Sequence, residues 1–283
     1  MGGRHPSEPY EVLLTIYSPE GQLVERVALG EIPPNRRRLF NVSQVMRGRY
    51  ARQDHLTAIH RIPQRLLKGG RSPEDSIELI GADADYGMFR SMVQYSWPSG
   101  AHGSVIYETP HGLNTRRPGR SLSQTLTFTS KIVQSAGVNT CIALIYYSVD
   151  PGWSMSTTYS FAFFAPSGQR VASGARTLRP FGVELLDAGR LIPAEAVAQA
   201  RDPADGLSCF SYIGCCQEGI VMPLILSLAP TLGAVAVEHT HPAQSYTCPA
   251  NAADKNREKA RAVDAWSGLL AEAGNVEGSH VGR

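Results

Sequence analysis

The chain has 283 residues, 42% of them hydrophobic and 18% charged, with a formal net charge of +2. That length suits one large domain or two ordinary ones. Its 27 Gly and 19 Pro stop short of collagen-like or low-complexity composition, and no apolar run reaches the ~18 residues of a membrane helix, so the composition leaves a folded, turn-rich protein.

The first residues, Met1-Gly2-Gly3-Arg4-His5-Pro6, carry no apolar leader, and the expected location is the cytoplasm. Residues 14–24 then read LTIYSPEGQLV. Leu14 and Ile16, a Pro-Glu-Gly turn and Leu23 predict strand, turn, strand, because Pro fixes φ and Gly permits a positive one. Residues 161–171, FAFFAPSGQRV, repeat this block at an offset of 147, with Pro19/Pro166, Gly21/Gly168, Gln22/Gln169 and Val24/Val171 coinciding. Pro33 and Pro180 hold the same offset. Two copies of one unit follow.

Ten basic residues lie between Arg36 and Arg71, nine of them Arg, opposed by Asp54 alone. Arg36, Arg37, Arg38, Arg47, Arg49 and Arg52 are the candidate partner-binding residues. Arg makes planar, bidentate contacts with phosphate and carboxylate, so an acidic protein or a nucleic acid is the expected partner. Tyr50 is the one aromatic between Arg47 and Arg71, which gives bases little to stack on. The competing reading is that Glu74, Asp75, Glu78, Asp83 and Asp85 fold back and neutralise the run. Residues 46–85 read as an insertion in the first copy, with a helix over His55–Leu67 interrupted at Pro63.

A second pair of blocks closes each copy. SVIYETPH (104–111) matches AVAVEHTH (234–241) at an offset of 130, aligning Glu108 with Glu238 and His111 with His241. Val105–Tyr107 and Val235–Val237 are short strand candidates ending at a Glu. On a straight strand residues three apart face opposite sides, so each Glu-x-x-His pair converges only if the chain turns, as Pro110 and Pro242 would allow. Carboxylate and imidazole together suit zinc or another transition metal, or an acid–base pair. Glu108, His111, Glu238, His239 and His241 are therefore the candidate metal ligands, set against ordinary strand-end residues satisfied by local hydrogen bonds. The sequence names no cofactor beyond that transition metal.

Residues 112–124, GLNTRRPGRSLSQ, have linker composition. Asn251–Ala273 has Ala262/Val263, Trp266, Leu269/Leu270 and Ala273 at helical spacing. This predicts a helix, docked on the sandwich or burying Trp266 against a second chain. Five cysteines (Cys141, Cys209, Cys215, Cys216, Cys248), with no C-x-x-C spacing, predict reduced thiols. Trp97 and Trp153 are expected in cores or turn pockets rather than on a sugar-gripping face.

The expected fold is thus all-β: two tandem antiparallel β-sandwich units, 8–111 and 125–249, followed by a C-terminal helix at 251–273. The first block, running through Ile32-Pro33-Pro34-Asn35-Arg36-Arg37-Arg38, resembles the β-sandwich family of sensory rhodopsin transducers. Val237-Glu238-His239-Thr240 is similar to the V-V-x-H-T-like end of a later strand in that family. The second copy also resembles repeats in uncharacterised bacterial proteins with an "IAL" strand, here Ile142-Ala143-Leu144. The resemblance covers about 11–45, 87–111 and 137–248. It implies a sandwich fold, oligomeric assembly and partner binding, and it offers no catalytic residues. Two copies, the basic segment and the C-terminal helix depart from it.

No P-loop, G-x-G-x-x-G, H-E-x-x-H or G-x-S-x-G motif is present. The expectation is a non-enzymatic binding or scaffold protein. It would self-associate through sheet edges or the C-terminal helix as a homo-oligomer and recognise an anionic partner through its arginines. The alternatives are a metal-dependent enzyme using the Glu/His strand ends, and a structural subunit of a filament or shell.

Overall fold

The computed structural model describes residues 8–34, 36–46, 55–80, 90–96, 102–108, 125–148, 152–217, 219–229, 231, 233–239, 241–242, 257 and 261–268. The fold is all-β, with antiparallel sheets and few helices. Strand β1 (Tyr10–Tyr17) runs between β2 (Leu23–Ile32) and β3 (Leu56–Pro63) in a three-stranded sheet. Between β2 and β3 lies the one-turn helix α1 (Val42–Val45), whose Asn41 cap accepts a hydrogen bond from the Gln44 amide at 3.1 Å.

Strand β3 corrects the expected helix over His55–Leu67. Leu56, His60 and Ile62 alternate with more exposed positions and are buried on one face, and the strand pairs with β1 along its full length. Only Gln64–Leu67 form a helical turn, of the 3-10 type, beginning after Pro63. Part of the segment 46–85 is thus built into the first sheet as β3. The segment also supplies α2 (Pro73–Ile80), which lays Ile77 against Leu13 and Ile62. A hairpin of β4 (Arg90–Ser96) and β5 (His102–Glu108) follows.

The remaining strands are β6 (Thr125–Gln134), β7 (Asn139–Ile145), β8 (Thr157–Phe164), β9 (Arg170–Leu178) and β10 (Val183–Asp187). Short helices α3 (Ala188–Leu191) and α4 (Ala194–Gln199) lead to β11 (Ser208–Cys216), β12 (Met222–Ala229), β13 (Ala234–His239) and the two-residue β14 (His241–Pro242). They form a five-stranded sheet, β14-β6-β11-β8-β9, and a four-stranded sheet, β10-β7-β12-β13. Side chains from both sheets meet in one core that holds Tyr159, Phe161, Phe163, Phe210, Tyr212, Ile142, Leu144 and Ile225. Burying each large apolar side chain contributes roughly 1.5–3 kcal/mol before entropy is counted.

Alternation along β8 and β11 sends Ala162 and Cys215 to the opposite face. There Val263 of the helical segment 261–268 is fully buried against them, and Trp266 meets Phe164 edge-on at 5.9 Å. The described part of the C-terminal helix thus covers the outer face of the five-stranded sheet. The linker segment 112–124, Trp97 and most of 251–273 lie outside the described residues.

The two repeated blocks fold alike in detail. β1–β2 and β8–β9 are both hairpins, and each carries a register shift at the equivalent place, Ile16/Tyr17 and Phe163/Phe164. In the first turn the Ser18 amide donates to Gln22 O and the Gly21 amide to Ser18 O, each at 2.9 Å. In the second, Ala165 to Gln169 O and Gly168 to Ala165 O both measure 2.8 Å. Gly21 and Gly168 have φ of 86° and 83°. The second pair of blocks falls on β5 and β13, each the return strand of a hairpin, and these lie against each other. A Cβ on Gly103 would come within 2.9 Å of Val235 O, so glycine there permits the close approach. β2 and β9, also repeat mates, each end a sheet.

Candidate functional site

Arg36, Arg37 and Arg38 follow β2 in a stretch without regular structure and are exposed, beside Leu39 at 90% exposure. The Arg38 guanidinium lies 5.0 Å from the centre of the Phe40 ring. Neither Arg36 nor Arg37 is ion-paired with any described residue. Of the acidic stretch, Glu74 and Asp75 open α2, and Asp75 is engaged by Ser72 at 2.8 Å. Arg47, Arg49, Arg52, Asp83 and Asp85 lie outside the described residues, as does the side chain of Glu78.

The Glu/His strand ends are distributed over three sheets. Glu108 ends β5, opposite Arg90. Glu238 and His239 end β13 in the four-stranded sheet, while His241 begins β14 and pairs with Phe128 in the five-stranded sheet. Consecutive described strands, β13 and β14, thus belong to different sheets. The Glu238 carboxylate accepts from Lys131 Nζ at 2.7 Å, with both groups well exposed. His111 and the side chains of Glu108, His239 and His241 lie outside the described residues. Among the described residues no three His, Cys, Asp or Glu side chains are placed to hold a metal ion.

Four thiols are described, Cys141, Cys209, Cys215 and Cys216, and no disulfide joins them. Neighbouring Cys215 and Cys216 point to opposite faces of β11, one under the C-terminal helix and one into the core. Burial pushes the Cys215 thiol up, against a smaller opposing effect of the Ser267 hydrogen bond. A buried thiol with a raised pKa is a poor nucleophile, which describes Cys215.

The most site-like concavity joins the two copies. The β1–β2 turn docks against the Arg179–Val183 segment, where the Val183 amide donates to Pro19 O at 3.3 Å. Tyr17 stacks on Phe181 at 4.7 Å and 10°. Phe181 is the one described non-glycine residue with positive φ, at 60°, and its amide donates to Tyr146 O at 2.8 Å. A bulky side chain in that region is strained, and such strain clusters at functional sites. Beside this contact lies a cleft of about 470 Å³ lined by Tyr17, Glu20, Arg26, Trp153, Arg179 and Phe181, with Ser154 and Ser156 on its rim. Trp153 is buried and donates from Nε1 to Tyr146 Oη at 3.0 Å.

Family models, curated proteins and solved structures contain no match to this chain.

Beneath the cleft the sheet face carries polar side chains among its apolar ones. Thr15 and Arg26 are directly opposed across β1 and β2, and Thr15 Oγ1 and Arg26 Nε are both buried without a hydrogen-bond partner. On the same face His60 is buried, with Nε2 3.3 Å from Tyr147 Oη. Burial, helped by the Arg26 charge, lowers the His60 pKa to about 4, so its ring is neutral near pH 7. Burial also raises the Tyr17 phenol to about 12, opposed by Arg26. None of these residues carries a sequence motif. Arg26 and Arg179 line one cleft because the β1–β2 hairpin docks on the 179–183 segment, and the offset pair Pro33/Pro180 is the one trace of that loop in the repeat pattern.

Proposed function

We propose that this is a non-enzymatic binding protein that recognises an acidic protein surface through its exposed arginines. The observation that carries the reading is the state of Arg36 and Arg37, solvent-exposed and without an ion pair among the described residues. Exposed Leu39 beside them adds an apolar contact, and Arg with a neighbouring apolar side chain suits a protein interface. A nucleic acid is less well served, because Phe40 is already covered by Arg38. Self-association belongs to the same reading. β2 and β9 end their sheets, and Leu23 and Val24 on β2 are exposed at 49% and 39%. Such a strand can pair with a second chain.

Fluorescence anisotropy with a labelled poly-glutamate peptide tests the partner class, with a single-stranded oligonucleotide of equal charge as the comparison. Tighter binding of the peptide, lost in Arg36→Glu/Arg37→Glu, supports the reading. Tighter oligonucleotide binding, or peptide binding indifferent to the reversals, overturns it. Light scattering across a concentration series reads the self-association, and a constant monomer mass removes it. Among the described residues no helix is long and apolar enough to cross a membrane.

A further inference from the structure

The cleft between the copies holds an unbalanced set of groups. Two guanidiniums, Arg26 and Arg179, face one carboxylate, Glu20. Glu20 sits at the mouth, where hydrogen bonds from Ser18 and its own backbone hold its carboxyl below the usual range, with a smaller contribution from Arg179. Arg26 makes no ion pair with a described residue, and its Nε is buried and unpartnered. A desolvated donor on a charged group is costly to leave unmade. Thr15 Oγ1, opposite Arg26, is a second orphan on the same face. Neutral His60 offers no compensating charge.

The remaining walls are aromatic: the Tyr17–Phe181 stack and Trp153. A few hundred Å³, apolar walls and a small number of convergent polar groups are the usual make-up of a small-molecule site. A second concavity sits at the equivalent β8–β9 turn, against α4. It holds about 620 Å³ and is lined by Arg170, Arg201 and Glu195, with no aromatic side chain and no orphaned polar atom of a described residue. Volume and arginines alone do not separate the two concavities. The buried, unpartnered Nε of the lining Arg26, the aromatic walls and the strained Phe181 do.

We propose that the cleft between the two copies binds a small organic anion, its acidic group taken by Arg26 and Arg179 and its apolar body by Tyr17, Trp153 and Phe181. The acidic group is a carboxylate or a phosphate, the two anions that a guanidinium fork fits. The site needs neither the acidic protein partner nor Arg36–Arg38, so it stands or falls separately from the reading above.

Isothermal titration with benzoate and with phenyl phosphate tests it on the full-length protein. Saturable binding of either probe is expected, and the tighter one identifies the acidic group. Ser156→Asp places a like charge on the exposed rim without touching the core, and it should weaken binding at least tenfold. Arg26→Gln should do the same, with the melting temperature recorded alongside. Arg36→Glu/Arg37→Glu should bind as the parent does. The proposal is overturned if neither probe saturates, if Ser156→Asp binds unchanged, or if the loss follows Arg36 and Arg37 instead.

Discussion

Tyr17 and Phe181 stack face to face at 4.7 Å although they belong to different copies of the repeat. The contact is made by a residue whose backbone is held in an unfavourable region, φ 60°. The same ring meets Tyr147 edge-on at 5.9 Å. Phe181→Gly should relieve about 1 kcal/mol of backbone strain and forfeit roughly 3–5 kcal/mol of aromatic burial and packing. The expected net loss is about 2–4 kcal/mol, read from denaturant unfolding. A stability equal to or above the parent would show that the stack contributes less than the strain it requires.

Gly21 and Gly168 separate the cost of a turn from the cost of an interface. A Cβ on Gly168 meets nothing within 4 Å, whereas one on Gly21 would fall 1.9 Å from Pro180 O. Gly168→Ala should cost about 1–2 kcal/mol, the ordinary penalty of a left-handed alanine. Gly21→Ala carries that penalty and also forces the β1–β2 turn off its neighbour. It should lower the melting temperature well beyond Gly168→Ala, and equal effects would contradict the docking of the turn.

His60 gives stability a defined pH dependence. Its pKa is about 4 in the folded protein and about 6.5 in the unfolded chain. The unfolded state therefore binds the proton first. This contribution is complete above about pH 6.5, falls by about 1.4 kcal/mol per pH unit below it, and levels off under pH 4, a total of about 3 kcal/mol. Unfolding free energies between pH 4 and 7 should be flatter in His60→Gln than in the parent. Parallel profiles would place the pH dependence elsewhere.

Three buried hydroxyls form a chain. Tyr212 Oη donates to Tyr159 Oη at 3.0 Å, and Tyr159 Oη lies 3.1 Å from Thr127 Oγ1. Burial drives both phenols far above their usual range, so they act as neutral hydrogen-bonding groups. Tyr159→Phe removes the middle member, leaving Tyr212 Oη without its acceptor and Thr127 Oγ1 with Gly214 O alone, at a cost of about 2–3 kcal/mol. Tyr212→Phe removes an end and should cost about 1 kcal/mol. Chemical denaturation ranks the two, and the reverse order would refute the chain as drawn.

The hairpins were legible because their turns are local. Pro19 and Gly21, or Pro166 and Gly168, fix the reversal with residues a few positions apart, and the 147-residue offset exposes the duplication. Residues 55–67 invite a helix because Ile59, Ile62, Leu66 and Leu67 also satisfy helical spacing. Pairing with β1 decided the matter, and pairing is not a local property. The cleft was invisible for the same reason. Nothing in the sequence around Arg26 marks its Nε as buried, and nothing around Phe181 marks a left-handed backbone. The arginine run stood out by composition, and among the described residues its first members remain on the surface.

β2 and β9 are repeat mates, and each ends its own sheet. One chain thereby carries two rims of similar hairpin geometry. A chain with one open rim can satisfy it by closing into a symmetric pair. A chain with two can still hold a free rim after the first is used, so growth stops only where geometry or side chains forbid the next addition. Of these two rims, β9 differs from β2 where a second chain would have to add. There the exposed Leu23 and Val24 of β2 give way to Arg170 and half-buried Val171.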